Sequence, residues 1–149
     1  MDLKQLYQDI ILEHGKSPRN FGRCKKHTHE AKGYNPLCGD KVQIFLNLNK
    51  EKKVENLTFE GSGCAISMAS TSIMTELVKG KSLEATKKIV FDFLDMIKNT
   101  QEIKSEELDE DQKTTIMSLS GVKQYPMRVK CATLAWHTLN SAMLKKKKK

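Results

Sequence analysis

No apolar stretch in the 149 residues approaches the roughly 18 that a helix needs to cross a bilayer. The opening Met1-Asp2-Leu3-Lys4-Gln5 lacks the basic-then-apolar layout of a secretory leader. Both absences point to the cytoplasm, with no membrane partner, in a compartment where thiols stay reduced. The four cysteines contain no CxxC pair, so the usual structural zinc patterns do not apply. They read as ligands or nucleophiles rather than as disulfides. Internal repeats are also missing, and the length suits one domain over residues 1–144. The excess of basic charge is concentrated: five of the eight net positive charges lie in residues 145–149. No aromatic residue interleaves that lysine run to stack bases. It reads as a disordered, solvated tail, and nucleic acid is not expected as a main partner.

The apolar pattern predicts helices around a small sheet. Asp2, with Gln5 three residues on, has the form of a capping box, and Leu3, Leu6, Tyr7, Ile10 and Ile11 follow at helical spacing as far as a stop at Gly15. Residues 16–32 are polar and broken by Pro18 and Gly22, and so are expected to be irregular. Val42, Ile44 and Leu46 alternate as a strand does, and residues 54–59 are rich in β-formers across a polar hairpin connection. A short strand near residues 31–34 completes three antiparallel strands. Beyond Gly63 the period changes to that of helices, expected at residues 65–79, from Ser82 through Ile97, near residues 112–119, and from Pro126 onward. The fold class is α+β, a small three-stranded antiparallel sheet covered by helices.

Three cysteines fall at boundaries between these elements. Cys38 lies in the loop Pro36-Leu37-Cys38-Gly39-Asp40, Cys64 directly precedes a helix, and Cys131 lies in the first two turns of the last helix. Unpaired N–H groups at a helix start favour a thiolate, as do Arg128 and Lys130, so lowered thiol pKa values are expected at Cys64 and Cys131. Asp40 could add a carboxylate. Three thiolates and one carboxylate suit tetrahedral zinc, and the same set could hold iron as a [2Fe–2S] cluster, although such clusters prefer four thiolates. The spacing alone leaves open a third reading, in which each cysteine is a small buried hydrophobe.

The words around these cysteines narrow the choice. Tyr7-Gln8-Asp9-Ile10-Ile11-Leu12-Glu13-His14 with Ser17-Pro18-Arg19-Asn20 resembles the opening of the U-type iron–sulfur cluster assembly family. Asn35-Pro36-Leu37-Cys38-Gly39-Asp40, Gly61-Ser62-Gly63-Cys64-Ala65-Ile66-Ser67-Met68-Ala69-Ser70 and Arg128-Val129-Lys130-Cys131-Ala132-Thr133-Leu134-Ala135-Trp136 are similar to its three cysteine motifs, in order. The IscU branch has a histidine before the third cysteine and a Leu-Pro-Pro-Val-Lys stretch held by an Hsp70-type chaperone. Here Lys130 and Gln124-Tyr125-Pro126-Met127-Arg128-Val129-Lys130 stand instead, and residues 100–121 resemble the insertion that marks the SufU branch.

The resemblance implies an SufE/IscU-like fold and a zinc ion held by Cys38, Asp40, Cys64 and Cys131. It implies a pyridoxal-phosphate cysteine desulfurase (SufS-like) as partner, Cys38 as acceptor of its persulfide sulfur, and a downstream iron–sulfur scaffold. The rival expectation is a scaffold that assembles a transient [2Fe–2S] cluster on the same residues. Arg128 is expected to stabilise the freed sulfur or Asp40 by charge pairing.

Other features have plainer readings. Cys24, with His27 and His29 nearby, reads as a free surface thiol rather than a second metal site. His14 reads as a cation at a helix end, His137 as a non-ligand, and Trp136 with the methionines 68, 74, 96, 117, 127 and 143 as packing. The acidic run over residues 102–111 reads as a solvated face.

Overall fold

The computed structural model describes residues 3–99 and 102–144. Its elements run α1 (Leu3–Lys16), β1 (His29–Asn35), β2 (Asp40–Leu48), β3 (Val54–Ser62), α2 (Ala65–Val78), α3 (Leu83–Asn99), α4 (Glu110–Met117), a 3-10 turn (Ser120–Gln124) and α5 (Pro126–Leu144). The strands form one antiparallel sheet in the order β1-β2-β3, so the class is the α+β arrangement read from the pattern. The register pairs Ile44 with Phe59 and Leu46 with Leu57. With Val42 and Val54, these side chains make the buried face on which the helices pack.

α5 crosses that face over β1 and β2, and lies against α2 and α3. Gly33 makes the approach possible, because a Cβ there would stand 2.1 Å from Thr138 Oγ1. Trp136 is fully buried and stacks on Phe93 with ring centroids 4.1 Å apart. Its Nε1 donates to Ser70 Oγ at 2.9 Å, and Ser70 donates to the carbonyl of Ala132 at 2.5 Å. A buried indole N–H needs such a partner. This chain of bonds fixes α5 against α2, one residue from Cys131.

Several boundaries differ from those expected. α1 continues through Gly15 to Lys16, and β1 starts at His29, inside the segment expected to be irregular. Its pairing with β2 extends the strand as far as His29 opposite Leu46. The remaining stretch of residues 17–28 follows the sheet rather than wandering: Gly22 N donates to Phe59 O at 2.7 Å and Thr28 N to Leu46 O at 2.8 Å. α4 begins inside the acidic run, because Asp109 caps it in a reciprocal box with Gln112. Within that run the acidic side chains lie largely in solvent, while Ile103 and Leu108 anchor the loop to the core. Ser82 caps α3 as expected, accepting from Ala85 N at 3.0 Å. Asp2 of the expected first cap and the lysine tail lie outside the described residues.

Candidate metal centre

The centre is built where three chain reversals meet. β1 and β2 end their pairing at Asn35 opposite Asp40, which leaves Cys38 on the connecting loop. Gly39 turns that loop with a φ of +71°. Asp40, the first residue of β2, is fully buried. Its Oδ1 accepts from Cys64 N at 2.9 Å and its Oδ2 from Asn35 Nδ2 at 3.2 Å. The chain passes directly over this carboxylate at Gly63, where φ is +155° and a Cβ would lie 2.3 Å from Asp40 Oδ1. Only glycine fits there.

Cys64 is the N-cap of α2, with extended backbone, and its Sγ accepts from Ser67 N at 3.4 Å. Cys131 reaches the same corner from α5 and is fully buried, donating to Met127 O at 3.6 Å. One ligand atom each from Cys38, Asp40 and Cys131 lies within 4.8 Å of the others. Cys64 stands beside that group, its thiol bearing on both Cys131 and Arg128. Two ligands of one tetrahedral zinc are about 3.3–3.8 Å apart, so Cys38, Asp40 and Cys131 need to draw together by about 1 Å; Cys64, the fourth expected ligand, is not among the atoms within 4.8 Å.

The electrostatics fit a cation. Burial pushes the Cys131 thiol well above its ordinary pKa, and its contacts with Asp40, Cys38 and Cys64 add to the rise. The lowered value expected from its place near a helix start is therefore not found. Desolvation and acidic neighbours outweigh the helix dipole, which acts within the first turn. Arg128 is an exposed positive group facing this corner. The charge of Cys64, then a hydrogen bond with Cys131 and the charges of Cys131 and Cys38, hold its guanidinium more firmly protonated. One carboxylate and two thiols thus meet, with the Cys64 thiol and the exposed Arg128 guanidinium nearby. Such a donor set suits a thiophilic dication.

Two sequence expectations outside the centre are overturned. Cys24 is buried, not on the surface, and accepts from Asn56 Nδ2 at 3.6 Å. The loop that carries it is pinned by His27, whose Nδ1 lies 2.6 Å from Cys24 O and whose ring packs edge-on to Phe45. His14 is likewise buried, with Nδ1 2.7 Å from Ser72 Oγ. Burial, then the charge of Arg19, lower its pKa, so it joins α1 to α2 as a neutral ring rather than capping α1 as a cation. His137 and Lys130 are exposed. The methionines pack as expected except Met127, which is 56% exposed beside the centre. Sequence reasoning passed over Asn35, although an asparagine before proline is a turn former whose side chain must go somewhere.

The sequence model of the family described as "NifU-like N terminal domain" matches residues 6–147. The chain belongs to that family. Among curated NifU-like relatives, the "Zinc-dependent sulfurtransferase SufU" of Bacillus subtilis is 38% identical over 144 residues, covering 97% of this chain and 93% of that protein. The "Iron-sulfur cluster assembly scaffold protein IscU" of Streptococcus pyogenes is 35% identical over 141 residues, covering 95% and 84%. A crystal structure from Fervidobacterium islandicum, described as an iron–sulfur cluster assembly scaffold protein for the SUF system, superposes with a TM-score of 0.80 at 32% identity. It covers 93% of this chain and 97% of that one.

Proposed function

We propose that this NifU-like chain is a zinc-dependent sulfur-transfer protein of iron–sulfur cluster assembly, working with a cysteine desulfurase and passing sulfur to a downstream scaffold. The observation that carries the reading is the meeting of Cys38, Asp40 and Cys131 within 4.8 Å, with Cys38 on a loop that a partner can reach. The 38% identity to a zinc-dependent sulfurtransferase supports it. Cys38, Asp40, Cys64 and Cys131 would hold the zinc. When bound, the ion supplies the positive charge that keeps facing thiols deprotonated at neutral pH.

The work of the chain's own residues follows from their places. Cys38 is the nucleophile, because Cys131 is buried and Cys64 is held as a helix cap. Its thiolate attacks the outer sulfur of the partner's cysteine persulfide. A new S–S bond forms at Cys38, the old one breaks, and the partner's cysteine leaves as a thiolate, with no net oxidation. Arg128 pairs with the negative sulfur during the exchange. A cleft of about 740 Å³ lined by Tyr7, Ile11, Ile66, Tyr125 and Arg128 opens beside the centre, with room for a segment of the partner. Exposed Leu37, Tyr125 and Met127 give the rim an apolar character suited to protein contact.

Mass spectrometry after incubation with a pyridoxal-phosphate cysteine desulfurase and cysteine tests the assignment. One added sulfur on Cys38 is expected, and labelling of Cys24 alone, or of no cysteine, overturns it. The second reading, a scaffold for a transient [2Fe–2S] cluster, draws on the relatives named IscU. Metal analysis separates the two: a colourless protein with one zinc supports transfer, and a brown one with matching iron and sulfide supports scaffolding.

A further inference from the structure

Asn35 is buried at the edge of the centre and uses its carboxamide in three directions. Nδ2 donates to Asp40 Oδ2 at 3.2 Å and to Cys131 Sγ at 3.8 Å, while Oδ1 accepts from Leu37 N at 3.3 Å. An asparagine amide has two donor hydrogens. Here they go to a carboxylate and a sulfur that belong to two different elements, and the acceptor goes to the loop that carries Cys38. The backbone of Asn35 is meanwhile the last rung of the β1–β2 ladder, opposite Asp40 itself. One side chain therefore touches Asp40 and Cys131 and ties down the loop leading to Cys38.

We propose that Asn35 is a positioning residue of the metal centre, which sets the orientation of Asp40 and lowers the donor strength of the Cys131 sulfur. The inference rests on the metal-binding reading above. With Cys64 N on Oδ1 and Asn35 Nδ2 on Oδ2, each oxygen of Asp40 already has one hydrogen bond. That fixes the plane of the carboxylate and leaves each oxygen one free lone pair. An N–H directed at a thiolate sulfur withdraws electron density from it, and partners of this kind commonly change metal affinity by about 10–100-fold. No other side chain does all three jobs from this position. Aspartate lacks the donors, serine has one donor hydrogen and a shorter reach, and glutamine is a methylene too long for a site packed against the ladder.

The experiment uses the full chain and two variants, Asn35→Ala and Asn35→Leu, the second preserving volume. Zinc affinity is read by competition with a chromophoric chelator, and the sulfur environment from the charge-transfer band of the cobalt(II) form. Both variants should still bind one zinc, about 10–100-fold more weakly, because the lost hold on Asp40 outweighs the stronger donor that Cys131 becomes. Their sulfur-to-cobalt band should move to lower energy, since a sulfur without its N–H donor gives up electrons more readily. A purely structural role for Asn35 would not shift that band. If wild type binds neither zinc nor cobalt, the metal-binding reading itself fails. If wild type binds and the variants match it within twofold in affinity and in band position, Asn35 has no such role and the centre stands without it. Should neither variant fold, nuclear magnetic resonance on the zinc-loaded wild type decides. Slowly exchanging Asn35 side-chain protons that shift on metal binding support the proposal, and rapidly exchanging, unshifted ones overturn it.

Discussion

Replacing Gly63 with alanine tests whether the carboxylate of Asp40 is held as tightly as its surroundings require. The new Cβ would lie 2.3 Å from Asp40 Oδ1, 3.0 Å from Cγ and 3.1 Å from Cα. The side chain cannot swing away cheaply. Asp40 is anchored by strand pairing to Asn35, and its Oδ1 receives the Cys64 N–H. Gly63 also holds φ at +155°, which L-residues rarely adopt. Such backbone strain costs about 1–3 kcal/mol, and breaking the hydrogen bond of a buried carboxylate costs about 1–3 kcal/mol. With partial relief by local movement, a loss of about 3 kcal/mol is expected, which lowers Tm by about 6–12 °C in a chain of this size. Thermal melts of metal-free wild type and Gly63→Ala, followed by circular dichroism, measure the stability term. A chelator competition measures the accompanying loss of zinc affinity. A variant that melts within 2 °C of wild type and keeps its zinc would refute the account of a carboxylate wedged under the backbone.

Four shorter predictions follow from the same geometry. Cys38→Ala should abolish stimulation of the desulfurase and sulfur labelling while leaving the far-ultraviolet dichroism unchanged, because the loop carries no core residue. Asp40→Ala should reduce zinc retained after dialysis, and unchanged metal content would remove Asp40 from the ligand set. Ser70→Ala strips the buried Trp136 N–H of its acceptor. It should cost about 1–3 kcal/mol in urea unfolding and alter the near-ultraviolet tryptophan signal; an unchanged midpoint would show that α5 is braced otherwise. Burial holds His14 below its ordinary pKa of 6.5, so below that pH the unfolded chain binds the proton before the folded one. Stability from this group is complete above about pH 6.5 and falls as the pH drops. The metal-free His14→Gln variant should show a flatter stability profile over that acid range, and an identical slope would exclude His14 as its source.

The elements that announce themselves by period were legible, and those fixed by tertiary pairing were not. Ile44 and Leu46 alternate against Phe59 and Leu57, and Pro126 marks the start of α5, so the strands and the last helix could be placed from composition. β1 was cut short because His29 and Glu30 have no strand preference of their own; they are extended because β2 supplies a ladder. The ligand candidates were found through motif words, and Cys38, Asp40 and Cys131 do meet. What the words could not convey was desolvation. Cys131 looked like a low-pKa thiol and Cys24 like a surface one because sequence position shows a helix start or a lysine-rich loop, and not what packs over it. Asn35 escaped for the same reason: its three hydrogen bonds exist only once the hairpin has closed and α5 lies across it.

The placement of the centre explains why so much of the core is braced near it. Cys38, Cys64 and Cys131 come from a hairpin loop, a helix cap and a helix interior, so their spacing depends on how α2 and α5 sit on the sheet. The Trp136–Ser70–Ala132 bonds fix α5 to α2 on the inner side of Cys131. The Asp40–Cys64 bond fixes the start of α2 to β2. Cys38, by contrast, lies on a loop tied at Leu37 N to Asn35 Oδ1 and turned at Gly39, whose vicinity is open, with nothing within 4 Å of where its Cβ would be. Three groups are therefore anchored to secondary structure, and the fourth is on the loop between two strands. Under the proposed sulfur transfer, that division puts the acceptor sulfur on a loop and its neighbours on rigid elements.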